Sequence, residues 1–218
     1  MTFKQFWADP YQCELATRIA TVDGDWVTVE ATIFYAFSGG QESDSGTLGG
    51  LPVLEARKEG TERRYRLPAD HGLQPGDAVD MAIDEPRRQA LMRLHFAAEL
   101  VLELVGERLP DCVKIGAHIA ADKARIDFAT ATNVTGELPA LEARVAEIVA
   151  EDRPIESGFE DVATERRYWA VDGLARVPCG GTHLRRTGEV GGVRLRRRNP
   201  GRGKERIEIM LCDPPLPG

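Results

Sequence analysis

Two periodicities divide this sequence, and the point where one replaces the other limits the folds open to it. Through about residue 83, β-branched and aromatic residues fall in short runs, at residues 18–22, 26–35, 51–55, 62–67 and 78–83. Turn signals separate them: Asp23-Gly24-Asp25, a Gly/Ser-rich stretch from Ser38 to Gly50, and His71-Gly72-Leu73-Gln74-Pro75-Gly76-Asp77. Strands this short and this evenly spaced suit a small barrel. At Asp84-Glu85-Pro86 the pattern changes. Asp84 suits an N-cap, and Glu85 and Pro86 suit a first helical turn. From there to Leu109, apolar residues recur at helical spacing at Leu91, Leu94, Ala98, Val101, Leu102 and Val105, until Pro110 stops the run. A strand is expected at residues 124–129. A second amphipathic helix is expected over residues 138–151, with Leu141, Val145, Ile148 and Val149 on one side. A further strand is expected at residues 166–171, and a hairpin leaves at 193–195 and returns at 206–211. The reading is α+β: a β-barrel-like N-terminal domain over residues 1–84, then an α+β domain over 85–218 with the long helix packed on an antiparallel sheet.

Composition narrows the function classes. Of 218 residues, 42% are apolar and 29% charged, the balance of a chain that folds rather than one that stays disordered. No apolar run is long enough for a membrane span, and the first residues lack a secretory pattern, so a cytoplasmic location and no membrane partner are expected. Four scattered cysteines, Cys13, Cys112, Cys179 and Cys212, do not make a disulfide framework. In a reducing compartment, a cysteine near histidines reads better as a ligand or a nucleophile. A formal charge of -7 argues against a protein that coats DNA or RNA indiscriminately. Locally the balance reverses. Arg194, Arg196, Arg197, Arg198, Arg202 and Lys204 crowd one stretch, which serves equally as a phosphate-binding strip or as the solvated face of a hairpin.

Two short patterns carry chemistry. His95 and Glu99 lie four apart on the long helix and project from one face. Cys179 and His183 flank Gly180 and Gly181, a tight loop whose ends can face the same point. Imidazole, thiolate and carboxylate together suit Zn2+ better than magnesium or calcium. The remaining histidines read more plainly, His71 as a surface residue beside a turn and His118 as a structural one. Glu99 interrupts an apolar run, Phe96-Ala97-Ala98 and Leu100-Val101-Leu102, where a carboxylate is costly to bury unless paired. With Glu103 it could also mark the polar edge of the helix.

Cys179-Gly180-Gly181-Thr182-His183-Leu184, followed by Thr187-Gly188-Glu189-Val190-Gly191, resembles the second additional domain shared by threonyl- and alanyl-tRNA synthetases. Thr32-Ile33-Phe34-Tyr35, Gly39-Gly40-Gln41 and Asp44-Ser45-Gly46 resemble a segment of its free-standing relatives, the AlaX proteins. Arg206-Ile207-Glu208-Ile209 is similar to their closing strand. Gly39-Gly40-Gln41 is also the tripeptide of peptide-release factors, but its surroundings here are those of AlaX. The resemblance runs from about residue 18 to 211, with its motifs in family order.

The resemblance implies a zinc-dependent trans-editing hydrolase that deacylates tRNA(Ala) mischarged with serine or glycine by means of a metal-bound water. The family's metal motifs are H-x-x-x-H on the helix and C-x-x-x-H on the loop. His95, Cys179 and His183 match them, and Glu99 stands where the second histidine belongs. Ala98 takes the place of the threonine often found before that histidine, and Ala36 the place of a proline. The expected metal ligands are His95, Glu99, Cys179 and His183, with Glu99 and His95 also as catalytic groups. The expected substrate pocket is Ala98, Gly180, Gly181, Thr182 and Gln41, and the expected tRNA contacts are the six basic residues above. As a ligand, Glu99 would add a negative charge and weaken the Lewis acid. Standing back, it would leave three ligands and an open position, and could act as a general base. The sequence tips slightly toward the ligand role. Two other readings remain: a family member that binds tRNA without hydrolysing it, and a metal-dependent hydrolase of a small ester or amide.

Overall fold

A computed structural model describes residues 2–212. The chain forms two compact units, Met1–Ser38 with Glu42–Gln89, and Gly39–Gln41 with Ala90–Gly218. It is α+β, dominated by antiparallel sheet, with one long helix.

The first unit runs β1 (Phe3–Lys4), α1 (Gln5–Ala8), β2 (Glu14–Asp23), β3 (Trp26–Val29), β4 (Ala31–Thr32), β5 (Gly46–Leu48), β6 (Leu51–Pro52), β7 (Glu55–Glu59), β8 (Glu62–Arg66) and β9 (Ala78–Ile83). Seven of these strands pair antiparallel in the order β6-β5-β9-β2-β3-β8-β7. The two edge strands, β6 and β7, are joined by Val53 and Leu54 alone. So short a connection spans only about 10 Å, so the sheet has to curl. Val53 N bonds Gly46 O at 3.0 Å and Leu54 N bonds Arg66 O at 2.8 Å, one toward each margin. The expected barrel is therefore a curled, open sheet. Its inner face is the apolar set of alternating strand residues, including Ile19, Val27, Val29, Tyr65 and Met81, all fully or almost fully buried.

The single strand expected at residues 26–35 breaks after Val29, and Ile33–Tyr35 carry no ladder. Side chains satisfy the backbone there instead. Phe34 N bonds Thr32 Oγ1 at 2.9 Å and Tyr35 N bonds Asp44 Oδ2 at 2.7 Å. Propensity for strand is overridden when side-chain acceptors compete for the same amides. Asp44 is itself fixed by Arg88, and both side chains are fully buried. Arg88 gives Nε to Asp44 Oδ1 at 2.9 Å, Nη1 to Pro10 O at 2.7 Å and Nη2 to Ile33 O at 2.6 Å.

The second unit begins inside α2 (Glu85–Arg108), which Asp84 caps by accepting from Arg87 N at 2.9 Å. From Leu91 to Val101 this helix is buried on nearly every side, with only Arg93 and Glu99 partly exposed. The apolar positions expected from sequence are thus only part of the buried set, and Leu102, counted among them, is only half-buried. The chain continues through β10 (Val113–Ile119), β11 (Ala124–Ala129), α3 (Leu138–Ala150), β12 (Glu156–Asp161), β13 (Arg166–Val171), β14 (Ala175–Pro178), β15 (Gly192–Gly201) and β16 (Lys204–Cys212). One sheet is ordered β10-β11-β16-β15, with Ile126, Phe128, Leu195, Ile207 and Ile209 on its buried face. The other is β12-β13-β14. It meets α2 where Trp169 and Phe96 stack edge to face, centroids 5.0 Å apart.

Gly39–Gln41 lies along β10, with Ile119 N on Gly40 O at 2.8 Å. Gly40 adopts φ +88°, and a Cβ there would lie 2.6 Å from Ala117 O, so only glycine fits.

Candidate metal centre

α2 supplies His95 and Glu99 from adjacent turns of one face. The segment after β14 supplies Cys179 and His183. Ligand atoms of His95, Cys179 and His183 all lie within 4.8 Å of one another. Glu99 is not part of that close trio, although its Oε1 sits 3.4 Å from His95 Nε2 and 3.8 Å from Cys179 Sγ. Cys179 Sγ is 3.4 Å from His95 Nε2. Both histidines are buried, at 4% exposure each.

Several groups set this geometry. Gly181 lets the loop close over His95: a Cβ there would meet His95 Cε1 at 2.0 Å and Gln41 Oε1 at 2.8 Å. Gln41 is buried and gives Nε2 to Thr182 Oγ1 at 2.9 Å. Ser157 Oγ lies 3.2 Å from His183 Nδ1, and Trp169 Nε1 donates to Glu99 Oε2 at 3.2 Å. Sequence reasoning missed Ser157 and Trp169, which lie outside both motifs on two strands that precede Cys179. The one signal available was an indole in a strand, which when buried needs a hydrogen-bond acceptor. Ala98 is buried beside Glu99, and Gly180, unlike Gly181, is exposed.

The electrostatics couple these groups. Burial works against charge on His95, but the neighbouring Cys179 and Glu99 outweigh it and raise its pKa well above the usual histidine range. Burial likewise opposes ionisation of Glu99, yet the hydrogen bond and charge of His95, then Trp169 and His183, hold it below the usual carboxylate range. His183 is lowered to about 3, first by burial and then by the charge on His95. Without an ion, the surroundings thus favour charge on His95 beside Glu99 and disfavour it on His183.

The donors suit a divalent metal. His183 Nε2 and His95 Nδ1 are buried and have no hydrogen-bond partner. An imidazole with one nitrogen held by a hydroxyl and the other buried and idle has the environment of a ligating histidine. One thiol, two imidazoles and an adjacent carboxylate form a zinc-type set.

The basic stretch divides by strand parity. Arg194, Arg196 and Arg198 are exposed on one face of β15. Arg197 turns the other way and bonds Glu205 through two contacts of 2.6 Å. Arg198 Nε bonds Glu208 Oε2 at 3.1 Å, and Arg194 is 4.0 Å from Glu142. Arg196, Arg202 and Lys204 have no ion-pair partner among the described residues. No helix among those residues is long and apolar enough to cross a membrane.

Residues 175–208 match the threonyl and alanyl tRNA synthetase second additional domain. The chain is 29% identical over 215 residues to the alanyl-tRNA editing protein AlaX-M of Pyrococcus horikoshii, covering 97% of this chain and 98% of that protein. It is 27% identical over 244 residues to the protein of the same name in Methanosarcina barkeri, covering 98% and 100%. It is 32% identical over 212 residues to the alanine–tRNA ligase of Methanopyrus kandleri, covering 86% of this chain and 22% of that enzyme.

Proposed function

We propose that this chain, which belongs to the AlaX-type alanyl-tRNA editing proteins, hydrolyses the ester of tRNA(Ala) wrongly charged with serine or glycine. The observation that carries the reading is the close trio of His95, Cys179 and His183, its two histidines buried, in a chain that matches AlaX-M over 97% of its length. That trio would hold Zn2+. A zinc ion bound there would supply Lewis acidity and lower the pKa of a water.

Glu99 is given the proton-accepting role in preference to the ligand role. Its exclusion from the close trio supports this, as does Trp169, which occupies one of its oxygens. A carboxylate held ionised by His95 and Trp169 can take a proton from an attacking water through Oε1 and return it to the leaving ribose oxygen. Gly181 and the Gln41–Thr182 hydrogen bond position the loop, and Ala98 lines the pocket without offering a hydroxyl. Selection of serine over alanine then depends on other donors. Arg194, Arg196, Arg202 and Lys204 would meet tRNA phosphates, a role that fits the cytoplasmic location expected of the chain. An aminoacyl ester is labile enough that positioning and modest activation suffice.

Deacylation of Ser-, Gly- and Ala-tRNA(Ala), with protein treated with chelator and then reloaded with zinc, tests the reading. Loss of Ser- or Gly-tRNA(Ala) that chelator stops and zinc restores is expected. Decay equal to that without protein sinks the enzyme. A specific observation, the carboxylate at Glu99 where the family has a histidine, favours a second reading, a tRNA binder that does not hydrolyse. Full tRNA binding without deacylation would establish it, and cleavage of small free esters alone would point to a different hydrolase.

A further inference from the structure

The three-stranded sheet carries a row of side chains that neither sequence motif includes. Alternation along a strand puts Ser157 and Phe159 of β12 on one face, and Arg167 and Trp169 of β13 on the same face. Ser157 pairs with Trp169 and Phe159 with Arg167. Cys179 N bonds Arg167 O at 2.9 Å, which sets the thiol beside Arg167. Phe159, Arg167 and Cys179 thus form one row across the sheet, next to the row in which Ser157 touches His183 and Trp169 touches Glu99. The opposite face is accounted for separately by the Tyr168 hydroxyl bonded to Glu156 and by Arg176 over the Tyr168 ring.

Within this row Arg167 is 6% exposed, and its guanidinium lies 4.4 Å from the Phe159 ring centroid. Phe159 is 40% exposed, in a strand otherwise made of Glu, Ser, Gly and Asp. A core contact does not require an aromatic ring there. Phe159 stands two residues along β12 from Ser157, about 6.6 Å, and two strands across from Cys179, about 10 Å. One ribose separates a nucleobase from the ester on its sugar hydroxyl, and that span matches the interval between the Phe159 ring and the metal-ligand cluster.

The geometry points to Phe159, backed by Arg167, as the stacking platform for the terminal nucleobase of the tRNA whose ester lies at His95, Cys179 and His183. The assignment rests on the hydrolase reading for the identity of the nucleic acid. Arg167 holds the ring from behind by cation–π contact, so the ring offers its exposed surface at little entropic cost. Stacking tolerates any base, because every base has a π-face. Phe159 therefore fixes where the end of the strand lies and leaves the choice of tRNA to other contacts.

The test uses zinc-loaded full-length protein and deacylated tRNA(Ala) carrying 2-aminopurine at its 3′-terminal base, a fluorophore quenched by stacking. Wild type is expected to quench it. Phe159→Ala is expected to abolish the quench and raise KM for mischarged tRNA about ten- to a hundred-fold, with kcat and zinc content nearly unchanged. Phe159→Leu keeps apolar packing without a π-face and should behave like Phe159→Ala, whereas Phe159→Tyr should restore both readouts. Quenching and KM unchanged in Phe159→Leu overturn the platform, as does a wild type that hydrolyses without quenching. Phe159-dependent quenching with no hydrolysis by wild type would instead support the platform and sink the hydrolase.

Discussion

Trp169 Nε1 donates to Glu99 Oε2 at 3.2 Å, leaving Oε1 as the oxygen that faces His95 and Cys179. A hydrogen bond to a carboxylate is worth about 1.5–3 kcal/mol, and this one selects which oxygen works. Trp169→Phe keeps a ring against Phe96 and removes the donor. Deacylation should fall by about ten-fold in kcat, with the near-ultraviolet circular dichroism still that of a folded protein. An unchanged kcat would mean that Glu99 does not need the indole.

Glu99→Gln separates the two roles of the carboxylate. A proton acceptor lost should lower kcat by about 10²–10⁴ while zinc measured by atomic emission stays near one per chain. A drop in zinc that parallels the loss of activity would assign Glu99 to the metal instead.

The two loop glycines should part company. In Gly181→Ala the new methyl collides with the His95 ring, and His95 has to leave its place. Zinc content and activity should both collapse. Gly180→Ala meets nothing within 4 Å and should keep both. Equal tolerance at the two positions would show that the loop does not hold His95.

Asp44→Ala strands the Arg88 guanidinium in the first unit's interior. Breaking one partner of a buried pair costs about 3–5 kcal/mol, so thermal unfolding should begin about 6–20 °C lower. Replacing both residues by apolar ones of similar size should recover part of the loss. Calorimetry decides, and a shift under 2 °C, in the sense of about 1 kcal/mol or less, would remove the pair from the stability account.

On β15, neighbours in sequence should behave oppositely. Arg196→Ala should lower the slope of log affinity for tRNA against log salt by about one contact. Arg197→Ala should leave that slope alone and destabilise the hairpin, because its charge is already met by Glu205. Filter binding at several salt concentrations reads the first, and thermal melting the second.

What was legible in the sequence followed from local pattern. His95 and Glu99 share a face because a helix repeats every 3.6 residues, and Ala78–Ile83, Ala124–Ala129 and Arg166–Val171 emerge as strands where their composition says so. Glu156–Asp161 escaped notice because it is exposed along almost its whole length and shows no apolar alternation. Val113–Ile119 is likewise exposed at its start, and Ala175–Pro178 spans only four residues. Glu156–Asp161 brings Ser157 to the cluster, and with Ala175–Pro178 it flanks the strand that carries Arg167. The site's supporting half was hidden because register between distant strands, rather than spacing within a motif, creates it. The basic run was visible as charge, but only the alternation of β15 tells Arg196 from Arg197.

The two-residue join between β6 and β7 has a consequence for the protein's behaviour at high concentration. An open sheet normally presents two rows of unsatisfied amides and carbonyls, each able to recruit a strand from another molecule. Here Val53 and Leu54 each bond a different margin of the sheet, and Pro52, on the edge strand itself, has no amide hydrogen to offer. The short corner ties the two edge strands end to end and to their inner neighbours, which keeps either from swinging out to pair with another molecule. Loosening it by inserting a few flexible residues should turn a well-behaved sheet into one prone to swapping and fibrillar aggregation.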